Sequence, residues 1–254
     1  MFFRRRYKYI FLIIPLVFLY RPFLFLGSYQ LDEWVSGIFL SNMFGGSYAR
    51  EKVEIVLAVT SLFGILIMNI LLGDYISKDF FENGEYIFSR EHNKGKWFIQ
   101  RAIDLSKYCV LGTVLYVGLY AIGSVMKSSK EVEIRDVILI GITAVMIFEF
   151  SYLSTLLINV LALRVGTSIA FVITYSVFIV SDIITFFLQG GEQNMAIMVL
   201  HYINPMSNMT ISWNYSQGYV YWSVIYFGIM IMSVLYAGKQ IALKYEIGIK
   251  HNET

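Results

Sequence analysis

The side chains placed to do chemistry in this sequence are few, and they sit in apolar surroundings. Glu149 interrupts an otherwise apolar run from Val137 to Leu163. Asp182 lies toward the outer third of the next run, and Arg21 near the outer end of the first. A carboxylate at mid-bilayer costs about 2.5 to 3.5 kcal/mol on insertion scales, so Glu149 must face other helices or water. Two readings of it stand: a polar contact in a transport path or coupling switch, and a packing residue bonded near Ser151, Ser154 or Thr155. Asp182 is expected to see water at an outer vestibule, and pairing it with Arg21 would offset the cost of both. His92 and His201 have no further His or Cys at ligand spacing, so they read as loop residues and no metal site is expected. The single cysteine, Cys109, lies in an apolar run and leaves no disulfide frame. Asn208-Met-Thr and Asn214-Tyr-Ser match the glycosylation triplet, a pattern common by chance.

Missing motifs narrow the function further. A hydrolase inside the bilayer needs a nucleophile–base pair or a two-His metal site. The apolar runs carry no His, and the chain has neither Gly-x-Ser-x-Gly nor His-Glu-x-x-His, which argues against an enzyme. It also lacks a Gly-rich phosphate loop ending in Lys-Ser/Thr, so it is not expected to hydrolyse ATP itself.

The elements that must position these residues follow from hydropathy. Of 254 residues 57% are hydrophobic and only 15% charged, where soluble domains carry about 25%. Mean hydropathy is +0.62, so the chain is an integral membrane protein. A net charge of +2 gives no reason to expect nucleic acid. Six apolar runs, 9–27, 55–73, 108–126, 137–163, 165–188 and 219–238, predict an all-α bundle of six transmembrane helices in one domain. Runs of about 20 residues match a hydrocarbon core of about 30 Å. The basic start (Arg4, Arg5, Arg6, Lys8) resembles a signal peptide, but no small-residue cleavage site follows, so the first span is read as uncleaved. Leu31, Trp34, Val35, Ile38 and Phe39 at helical spacing predict a helix along the outer surface, anchored by Trp34. With cytosolic termini, the inner side carries 14 Lys/Arg and the outer side 5, which places both ends inside.

One stretch breaks the apolar pattern. Asp74 to Lys107 holds 6 Lys/Arg and 6 Asp/Glu and must lie in water, yet it keeps an apolar rhythm through Phe80, Phe81, Tyr86, Ile87, Phe88, Trp97 and Phe98. Ile76 to Arg90 reads as a short amphipathic helix broken at Asn83-Gly84, and a second helix starts near Gly95 and runs into the next span. Such helices lie on headgroups or dock into a groove on a soluble partner. The mixed charge favours docking.

Six spans with a cytosolic helical island between the second and third resemble a type-2 ABC exporter permease. The residues carrying the likeness are Phe81-Glu82-Asn83-Gly84-Glu85 through Arg90, then Lys96-Trp97 and Arg101, with Ile203-Asn204-Pro205-Met206 in the outer stretch 189–218. The resemblance implies a coupling helix at 74–107 whose Glu82, Gly84, Tyr86, Ile87 and Arg90 contact a separate ABC ATPase subunit. ATP and Mg would be held by that subunit, with no cofactor in this chain. It further implies a second permease copy or a homologous one, membrane lipid around the bundle, and the plasma membrane of a bacterium. Small permeases of this kind resemble exporters of antimicrobial peptides and lantibiotic immunity systems, which implies an amphipathic peptide substrate. An aromatic and Met-rich outer segment, Met195 to Tyr221, suits such a ligand. A stand-alone immunity or sensor protein that binds a peptide without ATP shares the same topology and stays open.

Overall fold

The computed structural model describes residues 34–42, 55–90, 93–190, 195–209 and 218–244. These form nine helices: α1 (Val35–Asn42), α2 (Ile55–Leu72), α3 (Tyr75–Arg90), α4 (Lys94–Lys127), α5 (Ile134–Val165), α6 (Thr167–Gly190), α7 (Met195–Ile203), α8 (Pro205–Met209) and α9 (Val220–Lys244). No strand occurs among the described residues.

Four helices, α4, α5, α6 and α9, are long and apolar enough to cross a membrane. They cover the expected third to sixth spans, so the chain is a helical, multi-pass type of membrane protein. Helix α2 occupies the expected second span with 18 uncharged residues. The first span, 9–27, lies outside the described residues. At about 1.5 Å per residue, the 34 residues of α4 extend well beyond a hydrocarbon core of about 30 Å. Its first turns therefore stand in water at the end that carries α3, as the charges between Lys94 and Lys107 require.

Helix α5 is the axis of the bundle, packing against α4, α6 and α9 and also touching α1, α2, α3 and α8. Toward the α3 end its Tyr152 and Leu156 pack with Phe98, Leu105 and Cys109. Toward the other end Ile147 and Phe150 pack with Phe39, Tyr116, Phe178, Phe227 and Met206. Outward faces are apolar instead: Val172 and Val180 on α6, Ile122 on α4, Met232 on α9. Polar side chains point inward, with Asn69, Thr143, Ser151, Ser154, Thr155, Asn159 and Thr174 all fully buried. Hydrocarbon as solvent explains that inversion, since lipid rewards no apolar burial and satisfies no polar group.

Two sequence expectations change. Helix α3 runs unbroken through Asn83-Gly84, because the Asn83 side chain turns back along the helix and donates to Asp79 Oδ1 at 2.8 Å. That bond spends the amide within the helix rather than on a turn. Helix α1 does not merely lie on a surface. Val35, Ile38 and Phe39 are fully buried against α4 and α5, while Trp34 stays exposed under the cations of Lys130 (4.7 Å) and Arg135 (5.6 Å). The backbone N–H of Ser36 donates to buried Asp136 Oδ1 at 3.0 Å, and Glu133 N–H holds its other oxygen.

The turn between α5 and α6 depends on Gly166, whose φ of 82° is open to glycine at little cost. Gly238 matters for a different reason. A Cβ there would strike Phe98 and Val160, so α9, α4 and α5 meet only because this residue has none. Gly238→Val should destabilise the bundle by about 1–3 kcal/mol, read as a lowered unfolding temperature in detergent. Gly228→Ala, at a site with nothing within 4 Å of the new methyl, should leave it unchanged.

Candidate functional site

Helix α3 carries its apolar residues one turn apart: Ile76, Phe80, Gly84 and Phe88. Ile76 and Phe80 are buried, and Gly84 with them. Phe80, Phe88 and Trp97 of α4 form a three-ring cluster with centroids 5.4 to 5.5 Å apart. Beside it, Arg101 of α4 reaches Asp79 of α3 at 2.8 Å. Tyr75 closes the same contact, and burial pushes its phenol up to about 12, with Arg101 partly opposing. On another side of α3, Phe81 is half exposed with its ring edge-on to Phe80, and Glu82 is exposed beside Lys78 at 3.7 Å.

The start of α3 is fixed from inside the bundle. Asn159 of α5 is fully buried and both its amide oxygen and its amide nitrogen are hydrogen-bonded, three of the four bonds reaching neighbouring helices. Its Oδ1 accepts from the N–H groups of Ile76 (2.7 Å) and Ser77 (3.4 Å), in the first turn of α3. Its Nδ2 donates to the carbonyls of Leu72 (2.8 Å), at the end of α2, and Thr155 (2.9 Å). One turn along, Asn69 of α2 accepts from Thr155 Oγ1 (2.7 Å) and Ser154 Oγ (3.1 Å), and donates to Tyr175 of α6 at 2.9 Å. Gly73 lets the elbow pass α6, since a Cβ would sit 2.8 Å from the Phe171 ring.

At the other end, α7 and α8 fold back alongside α6 and α9. Asn204 breaks the helix between them at the level of Ser181, about 13 Å along α6 from its last residue. Its Nδ2 donates to Ser181 O (2.9 Å) and its Oδ1 caps the Met206 N–H (2.9 Å). The carbonyls freed at the end of α7 are taken by Asn208 Nδ2 and Trp222 Nε1 on Tyr202, and by Tyr226 OH on Ile203. Asn208 is 1% exposed, so this member of the triplet pair is an internal cap, with Ser223 donating to its oxygen.

The sequence-predicted residues divide. Glu82 and Gly84 both lie on α3, one exposed and one in the packed stripe. Tyr86, Ile87 and Arg90 belong to α3 by backbone, but their side chains fall outside the described residues, as does Arg21. Glu149 is half-buried on α5, and its Oε2 is enclosed without a hydrogen-bond partner. Asp182 is half-buried on α6. His201 is buried in α7, and His92 lies outside the described residues. Among the described residues no group of His, Cys, Asp and Glu could hold a metal ion.

Sequence reasoning missed Asn69 and Asn159, and named Asn204 and Asn208 without seeing them as caps. The available signal was an amide side chain inside or beside an apolar run, where its burial must be matched by bonds. Compared with family models, with curated proteins and with solved structures, the chain matches none.

Asn204→Ala removes both the tie to α6 and the cap of α8. It should cost about 1–3 kcal/mol and speed amide exchange at Met206 and Ser207 at least tenfold, with α3 amides unchanged.

Proposed function

We propose that this chain is the membrane-spanning subunit of a type-2 ABC exporter, with α3 as the helix that receives motion from a separate ATPase. The observation that carries the reading is α3 itself. It is a 16-residue amphipathic helix anchored at its first turn to the bundle interior, packed along one face on α4, and presenting Phe81 and Glu82 on its other face. A helix bound only to lipid needs no such anchor. A helix that must pass force from a soluble partner to the spans does. ATP hydrolysis is assigned to the partner, since the sequence has no phosphate loop.

The remaining parts of the proposal follow from this one. The chain has six spans with both termini and α3 on the cytosolic side of a bacterial plasma membrane. Two six-span subunits, identical or homologous, complete the transporter, with Glu149 and Asp182 facing the path. The cargo is an amphipathic molecule, most simply a peptide. Walls built from Phe, Tyr and Met offer a polar solute little to replace its hydration.

Association is tested by substitutions on α3. Phe81→Asp and Ile87→Asp should each abolish co-purification of an ABC ATPase while the protein still inserts and unfolds at the wild-type temperature. Unchanged co-purification in both variants overturns the docking surface, and a wild-type chain that captures no ATPase returns the stand-alone peptide-binding reading. For the cargo, ATP hydrolysis by the reconstituted complex should rise with cationic amphipathic peptides. Stimulation by sugars or ions instead would refute it.

A further inference from the structure

We infer that Asn159 is the positioning residue through which displacement of α3 reaches the membrane bundle, an inference whose functional meaning rests on the exporter reading above. Three helices meet at this one amide. It bonds the first turn of α3 through Ile76 and Ser77, and the last turn of α2 through Leu72, from a fully buried place on α5. The path continues without a gap: Asn159 to the Thr155 carbonyl, Thr155 Oγ1 to Asn69, and Asn69 to Tyr175 on α6.

The physical reason is the surroundings of these bonds. Water can replace a lost partner at a surface break between helices, but not here, where Asn159, Asn69 and Thr155 are all fully buried. Sliding α3 away from Asn159 would strand two N–H groups and an amide oxygen, so α3, the end of α2 and α5 are held to move together. The aromatic cluster of Phe80, Phe88 and Trp97 ties α3 to α4 as well, but apolar rings slide past one another at little cost in direction. The Arg101–Asp79 pair joins the tips of two partly exposed side chains, at 34% and 23%, and holds no backbone group of α3. Among the contacts of α3, the Asn159 bonds are both buried and directional.

The test places spin labels at Phe81→Cys on α3 and Val177→Cys on α6, both exposed, in the full chain with its native Cys109 buried. The unaltered joint should give one narrow distance distribution. Asn159→Ala should at least double its width while the four long helices stay inserted. If that variant fails to insert, Asn159→Ser, which keeps a hydroxyl at the site, carries the measurement. Thr185→Val breaks a buried bond to Ser207 at the opposite end, and should lower stability without widening the α3 distance. In complex with a co-purified ABC ATPase, Asn159→Ala should bind the ATPase as wild type does but lose about tenfold of peptide-stimulated transport per ATP. A narrow distribution in the folded Asn159 variant, or equal broadening by Thr185→Val, overturns the inference. A wild-type chain that captures no ATPase overturns the exporter reading instead, and the distance measurement still judges the joint.

Discussion

Hydrocarbon provides no hydrogen bonds, and this single constraint dictates where the bundle can bend. Wherever a helix ends buried among other helices, its last carbonyls and the next helix's first N–H groups need partners from the protein. At the α2–α3 elbow that partner is Asn159, which meets both needs at once because an amide carries an acceptor and a donor on one planar group. A Ser or Thr hydroxyl, with a single O–H on a shorter stem, could not make both of the donations that Asn159 makes. The elbow's direction, and with it the seat of α3 on α4, follows from where Asn159 stands on α5.

The same solution recurs at the far end. Asn204 and Asn208 divide between them what Asn159 does alone: one caps the start of α8 and ties it to α6, the other takes carbonyls from the end of α7. Met206 and Met209 can then enter the core among Phe39, Phe150 and Phe227. Methionine suits that seat because an unbranched, polarisable side chain fills the irregular gap left by a helix that stops and restarts. Both ends of the bundle are thus broken backbones mended by asparagine, with the long helices α4, α5, α6 and α9 between them.

Much of this could be read from the sequence, and the division has a physical cause. Long apolar runs between charged stretches identified α4, α5, α6 and α9, because span length is set by the bilayer and needs no knowledge of partners. The apolar rhythm of Phe80, Phe81, Tyr86, Ile87 and Phe88 within 76–90 identified α3 because 3.6-residue periodicity is local. The joints could not be found this way. Asn159 acts on residues 82 to 87 positions earlier, and Asn69 on residues 85 to 106 positions later. Hydropathy averages an asparagine in a span into a small dip. Asn83-Gly84 misled in the opposite sense: a pair that usually marks a turn became helical once the Asn side chain bonded four residues back.

Glu149 is set apart by comparison with Asn159, ten residues away on the same helix. Asn159 is fully buried and every polar atom of its side chain is bonded, as expected of a residue retained for structure. Glu149 is half-buried, one oxygen is enclosed without a partner, and Val145 one turn before it is 46% exposed. A structural carboxyl at that depth would be expected to have acquired the neighbours that every buried asparagine here possesses. The polar seam along Asn159, Thr155 and Asn69 ties α5 to α2, α3 and α6, and Glu149 stands outside it, which is the placement the proposed exporter reading requires of a path residue.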